Sequence, residues 1–185
     1  MGRVFWVHFS EIGLATSTGF DLISHSAEQT AQIGVRLGQL LAAGDLICLS
    51  GGLGAGKTAL AAGIGKGWGA LEPINSPTFV LVHEHHRSRD GQCLYHLDCY
   101  RLNSLDDAES AGIEDILAAD DSVMIEWPEQ IADLLPPERL WITLELPDAP
   151  EENVATERHI IIRATGERYM MLLEQLKTSL YVAGN

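Results

Sequence analysis

Ser50-Gly-Gly-Leu-Gly-Ala-Gly-Lys-Thr58 fills the pattern G-x-x-x-x-G-K-[ST] at Gly51, Gly56, Lys57 and Thr58. Each residue type has a physical task in such a loop. Glycines let the backbone curl so that successive N–H groups face inward, towards phosphate oxygens. A lysine at position 57 brings a point charge to the β- and γ-phosphates of a nucleotide. The Thr58 hydroxyl is placed to ligate Mg²⁺. A helix that starts here adds the positive end of its dipole. Gly51, Gly52, Leu53, Gly54, Ala55, Gly56, Lys57 and Thr58 are therefore the expected phosphate-wrapping residues.

The flanks decide whether the pattern has its structural context. Before it, Asp45-Leu-Ile-Cys-Leu-Ser50 follows Gly44 and reads as a short buried parallel strand. After it, Lys57 to Lys66 carries apolar residues at helical spacing. Strand, loop and helix thus follow in order. The alternative, a glycine-rich turn that binds nothing, fits those flanks poorly.

Reading outward, residues 1–18 have no usable periodicity and are taken as an N-terminal extension. They are either a flexible segment or residues ahead of a later start codon. Residues 19–185 are taken as one domain, the default for this length. Phe20–Ser24 reads as a short strand. Ser26 is an N-cap for a helix over Ala27–Ala43, with Ile33, Leu37, Leu40 and Leu41 on one face and Gly44 ending it. Pro77 excludes a helix, and Thr78–Val82 reads as a strand. Glu84–Gln92, with Asp90-Gly91, reads as a hairpin turn before a return strand, Cys93–Asp98. Ser104 caps a helix running towards Ala111. Ser122–Glu126 is another buried strand, Leu140–Leu146 and Arg158–Ala164 are two more, and Thr165–Tyr181 is a terminal amphipathic helix. The pattern predicts an α/β fold: a three-layer P-loop NTPase-like sheet, mainly parallel, with an antiparallel hairpin insertion. A ligand belongs outside the carboxyl ends of its strands.

Composition limits the partners. The chain has 12 basic and 26 acidic residues, a formal charge of −14, and an ordinary globular hydrophobic share of 46%. Gripping a nucleic acid backbone needs basic residues to displace counterions, so no direct RNA binding by the chain alone is expected. Cys48, Cys93 and Cys99 lack metal-type spacing and read as small buried hydrophobes in a reducing compartment. No apolar run reaches the roughly 18 residues of a membrane span, and the first ten residues are too interrupted for a secretory signal. The expected location is the cytoplasm.

P-loop chemistry needs an acid beside the magnesium, at the end of a buried strand. Asp98 and Glu126 each follow four mainly apolar residues and meet that description. The plainer reading of either is a strand-end acid that caps a loop.

Four ordered motifs together resemble the TsaE family: Gly51-Gly-Leu-Gly-Ala-Gly-Lys-Thr58, Ser76-Pro-Thr-Phe79, His96-Leu-Asp-Cys-Tyr-Arg101 and Ile125-Glu-Trp-Pro-Glu129. The resemblance covers roughly residues 26–164. That family consists of small bacterial P-loop ATPases required to make threonylcarbamoyladenosine in tRNA, beside the anticodon. The resemblance implies ATP and Mg²⁺ as ligands, with Thr58 and Glu126 at the metal and Lys57, Asp98 and Glu126 at the chemistry. Asp98 would be a metal ligand, a partner of one, or a group that positions water. Ser76 and Thr78 would form a switch-like loop sensing the γ-phosphate, and Trp127 would lie near the nucleotide. Arg101 would serve either the transition state or a salt bridge. The implied partner is a threonylcarbamoyl-transfer complex of the TsaB–TsaD type, and turnover by the isolated protein would be slow. Departures from the family pattern are Gly52, where Asp or Asn is common; Ala59, where a second Thr is frequent; Cys99 for Leu; and His85 and His86 where Tyr is common.

Two rival readings follow from the residues. A small-molecule or nucleotide kinase of the P-loop class shares the loop but normally needs clamping arginines or a lid. Here the nine arginines are scattered, with Arg87 and Arg89 on a hairpin tip. His83, His85, His86 and His96 suggest a metal site on or near one hairpin. A transition metal needs three or four converging ligands, and the spacing names no fourth. Solvated hairpin histidines are the expected outcome.

Overall fold

The computed structural model describes residues 17–75, 81–102, 104–147 and 156–182. Seven strands form one sheet: β1 (Ser17–Ser24), β2 (Leu46–Ser50), β3 (Val82–His86), β4 (Cys93–Asp98), β5 (Ser122–Glu126), β6 (Arg139–Glu145) and β7 (Arg158–Thr165). Their order is β1-β7-β6-β2-β5-β4-β3. The neighbours β6–β2, β2–β5 and β5–β4 run parallel; β1–β7, β7–β6 and β3–β4 run antiparallel. The sheet thus has a parallel centre, β6-β2-β5-β4, with antiparallel pairings at its flanks: the expected β3–β4 hairpin on one side, and on the other β7, which runs against both β6 and β1.

Sequence pattern and position agree strand by strand. The central strands β2 and β5 are buried at every residue. A strand covered on both faces has no polar alternation, which is why both appear as continuous apolar runs. The flanking β6 and β7 bury alternate residues, as half-covered strands do. β1 starts at Ser17, inside the stretch read as an extension, and pairs along its whole length with β7. Thr78–Val80, the expected start of the strand now seen as β3, lies outside the described residues, as does Ser76. β3 extends to His86, so the turn is shorter than expected. Arg87 is not a solvated tip residue: it is buried, donates from Nε to Asp90 at 2.7 Å, and stacks 4.4 Å from the centre of the Trp68 ring.

The helices are α1 (Ala27–Leu40), α2 (Lys57–Trp68), α3 (Leu105–Ser110), α4 (Ile113–Ala118) and α5 (Glu167–Val182). Ser26 caps α1 by accepting from the Gln29 N–H at 3.2 Å. α1 ends three residues before the expected Ala43. There the buried Asp45 carboxylate accepts from the Ala42 N–H at 2.8 Å and holds the chain in a turn instead. Asp45 also accepts two bonds from Arg168, at 2.9 Å and 2.5 Å, Arg168 donates a third to the Leu40 carbonyl at 3.2 Å, and the Leu46 N–H donates to the Tyr169 hydroxyl at 2.7 Å. These contacts fasten α5 to the start of β2. Ser104 caps α3 by accepting from Asp107 N–H at 3.2 Å. The separate α4, beginning after Gly112 at φ 69°, had no legible signal.

α1 and α2 lie almost backbone against backbone. A Cβ on Gly38 would sit 2.0 Å from the Ile64 carbonyl oxygen, and one on Gly67 would sit 1.9 Å from that of Val35. Gly34 and Gly63 meet the facing helix in the same way, at 2.4 and 2.1 Å. This close crossing sets α2, and with it the preceding loop, against the sheet.

Candidate functional site

The loop 51–56 joins β2 to α2 at the carboxyl end of the parallel strands. Its shape depends on glycine. Gly51 has φ 134°, and a Cβ there would meet the Leu144 carbonyl oxygen at 2.3 Å. Gly54 and Gly56 also have positive φ, at 74° and 107°. Four of the six loop residues are glycine, and the loop leads into the start of α2, where the helix dipole favours an anion.

Lys57 lies at the first residue of α2, with its side chain turned back over the loop. Its Nζ donates to the Gly51 carbonyl at 2.5 Å and to the Gly52 carbonyl at 3.0 Å. The same nitrogen lies 3.8 Å from the centre of the Trp127 ring. The ammonium therefore rests on neutral carbonyls and an aromatic face, contacts that a phosphate oxygen would replace with a charge-assisted bond. Burial lowers the Lys57 pKa, while Glu126, Glu129 and Asp98 oppose that shift.

Asp98 ends β4 and Glu126 ends β5, and the parallel register makes them direct neighbours. Two carboxylates are thus placed side by side facing the loop. Burial first, and then the Glu126 charge, push the Asp98 pKa up, against a backbone bond from the Tyr100 N–H at 3.0 Å. A divalent cation between them would relieve this repulsion. Thr58 is exposed in the first turn of α2. The residues fit a polyphosphate with a divalent cation: an N–H-lined loop, a lysine held without a carboxylate partner among the described residues, and two adjacent acids.

Trp127 follows Glu126 in the left-handed region at φ 58°, the one non-glycine residue with positive φ among those described. Backbone strain of this kind persists where the surroundings hold it. Here the Trp127 N–H donates to the Leu49 carbonyl at 3.2 Å, Pro128 starts a 3₁₀ segment over Pro128–Leu134, and the ring packs 4.9 Å from that of Tyr100. The twist turns the indole towards Lys57.

Three participants were not expected. The His96 Nε2 lies 3.0 Å from the Glu126 carboxylate, and both residues are fully buried, so the imidazole fixes the acid's position. Strand alternation places His96 on the same face as Asp98, a signal that was available but unused. Arg158, at the start of β7, donates from Nη2 to the Gly54 carbonyl at 3.2 Å. Nothing in the sequence near residue 54 announces it, because the contact spans more than one hundred residues. Ser50, the last residue of β2, donates its hydroxyl to the Glu129 carboxylate. Arg101 is exposed in the turn after β4. Ser76 and Thr78 lie outside the described residues.

Comparison with known proteins supplies the chain's relatives. The family model described as "Threonylcarbamoyl adenosine biosynthesis protein TsaE" matches residues 24–158. The chain is 40% identical over 139 residues to the tRNA threonylcarbamoyladenosine biosynthesis protein TsaE of Streptomyces coelicolor, covering 75% of this chain and 92% of that protein. It is 36% identical over 150 residues to the protein of the same name from Bacillus subtilis, covering 80% and 88%. Among solved structures it is similar to Bacillus subtilis YdiB, with a TM-score of 0.69 and 30% identity over 90% of this chain and 99% of that one.

Proposed function

The chain belongs to the TsaE family, and from that premise we propose that it is the ATP-binding and ATP-hydrolysing component of the machinery that makes threonylcarbamoyladenosine in tRNA. It works there with a threonylcarbamoyl-transfer complex of the TsaB–TsaD type. The family's role in biosynthesis of this tRNA modification applies to the chain directly; the nucleotide chemistry and the partner are our reading. The observation that carries it is the pairing of Asp98 and Glu126 at adjacent strand ends beside the loop that Lys57 closes.

Each residue has a task in this reading. The N–H groups of residues 51–57 hold the β- and γ-phosphates, and Lys57 leaves its carbonyls for phosphate oxygens. Thr58 and Glu126 would hold Mg²⁺, which when bound would offset the charge of the phosphates. His96 keeps Glu126 in place. Asp98, whose raised pKa marks a desolvated carboxylate, orients the attacking water. Water adds to the γ-phosphorus, the bond to the β-phosphate oxygen breaks, and ADP and phosphate leave with the proton released to solvent. Trp127 covers the lysine side of the site, and Arg158 braces the loop from β7.

Fast hydrolysis asks for positive charge at the γ-phosphate beyond that of Lys57. Arg101, three residues past Asp98 and exposed in the turn after β4, is the internal candidate to supply it. A transition state of this kind commonly needs an arginine worth orders of magnitude in rate. Phosphate release by the purified chain is expected well below one turnover per second, the low end of enzyme rates. Adding the transfer proteins should accelerate it, and Arg101→Ala should lower the stimulated rate more than nucleotide affinity. Rapid turnover by the chain alone, dependent on a small hydroxylated acceptor and indifferent to those proteins, would establish the kinase reading instead.

A further inference from the structure

The β3–β4 hairpin divides its histidines between two faces of the sheet. In the antiparallel register His83 lies opposite His96, and His85 opposite Leu94, so these side chains share the face of Asp98 and Glu126. His86 lies opposite Cys93, and Glu84 opposite Tyr95, so Glu84, His86, Cys93 and Tyr95 share the other face. On that second face a carboxylate oxygen of Glu84, a ring nitrogen of His86 and the Cys93 sulfur all lie within 4.8 Å of one another. Two come from alternate residues of β3 and the third from the strand beside it. No shift of the backbone is needed to bring them together.

We propose that Glu84, His86 and Cys93 form a second cation site, for a divalent transition metal of the zinc class, distinct from the magnesium position at the nucleotide. The donor set is one oxygen, one nitrogen and one sulfur, which suits a borderline-soft ion and not magnesium. Metal–ligand bonds of about 2.0–2.3 Å place tetrahedral ligands roughly 3.3–3.8 Å apart. The Glu84–His86 separation is already 4.0 Å, and both side chains are more than half exposed, so a change of rotamer closes the remaining gap. Cys93 is buried and supplies the fixed ligand. Its surroundings are acidic: the Asp121 carboxylate accepts the Cys93 N–H at 3.2 Å. A cation bound there meets negative charge on two sides. On binding, the sulfur–metal bond forms as the S–H bond breaks, the proton passes to solvent, and water fills the fourth position. Cys93 and Asp98 stand at opposite ends of β4, about 16 Å apart at ~3.3 Å per residue, so the two sites do not share ligands. The ion would clip β3 to the strand that carries Asp98.

The test is a titration of the full, reduced chain with Co²⁺ in the absence of nucleotide. One equivalent should give the near-ultraviolet thiolate-to-cobalt charge-transfer band. Zn²⁺ should displace it, and a large excess of Mg²⁺ should not. Cys93→Ser should abolish the band. His86→Ala and Glu84→Gln, both at exposed positions that leave the fold intact, should each weaken Co²⁺ binding at least tenfold. A band that survives Cys93→Ser comes from another cysteine and overturns the assignment. So does saturating Co²⁺ without any band, which would leave the three residues as ordinary hairpin packing.

Discussion

Lys57 is held at its post by contacts that bind nothing else tightly: two loop carbonyls and the face of Trp127. A charge-assisted bond to phosphate is worth roughly 1.5–3 kcal/mol. Lys57→Ala should therefore weaken ATP and ADP binding by about 10- to 100-fold in calorimetry, and unchanged affinity would remove the phosphate-loop assignment itself. Asp98 makes a different prediction. Its folded pKa is raised, chiefly by burial and next by Glu126 against the Tyr100 bond. A carboxyl with a raised folded pKa favours the fold while protonated, below its unfolded pKa, and that contribution is lost as pH rises through the folded value. At neutral pH the ionised Asp98 is thus a cost to the apo protein. Asp98→Asn keeps an oxygen for the Tyr100 N–H and removes the charge. It should raise the thermal midpoint at about pH 8, raise it less at about pH 4, and depress partner-stimulated hydrolysis more than Mg·ADP affinity. A lower midpoint at the higher pH would mean that the carboxylate is stabilised by something other than a bound cation. Lys57 was legible from the glycine-loop pattern, and Asp98 and Glu126 as acids ending short apolar runs, while Trp127 entered only through the family resemblance. His96 and Arg158 were not legible, since a partner's identity depends on register and on a contact far along the chain.

Among the elements, the crossing of α1 and α2 is the most exacting. Glycine is a poor helix former, costing about 0.5–1 kcal/mol relative to alanine in a helix interior. Gly34, Gly38, Gly63 and Gly67 nevertheless sit inside these two helices, because any Cβ would enter the facing backbone. Propensity alone says that alanine should stabilise each helix; the packing says the reverse. Gly38→Ala and Gly67→Ala should each destabilise the protein by about 1–3 kcal/mol or more, as overpacking does, read as a lower denaturant midpoint. Because α2 begins at Lys57, nucleotide affinity should fall with it. Stabilisation by either variant would show that the helices separate at little cost. The sequence supports both helices but not their contact: spacing marks the apolar stripe, and glycines four apart read only as weak helix positions. The same limit explains the sheet. Runs such as Leu46–Ser50 and Ser122–Glu126 announce buried strands, yet the direction of the flanking strands is set by pairings between Ser17–Ser24 and Arg158–Thr165, at opposite ends of the chain. α1's early end is likewise decided by Asp45 and Arg168, residues that no local window joins.

At the scale of the whole molecule, charge sets the division of labour. A formal charge of −14 gives a field that repels a polyanion, and the basic residues that could offset it locally are largely committed. Arg87 is buried on Trp68 with Asp90, Arg168 is bonded to Asp45, Lys57 closes the loop, and Arg158 reaches the Gly54 carbonyl. ATP is itself an anion, but in the proposed site the loop's N–H groups, Lys57 and a metal ion would compensate its charge over a few ångströms. An RNA backbone offers no such compact target, and its binding depends on releasing counterions along an extended basic surface. The isolated chain should accordingly show no appreciable affinity for tRNA at physiological salt in an anisotropy titration, and adding Mg·ATP should not change that. Under the proposed function, recognition of the tRNA would then belong to the partner complex. Tight binding that weakens steeply with salt would locate a basic stripe on the chain and move tRNA recognition onto it.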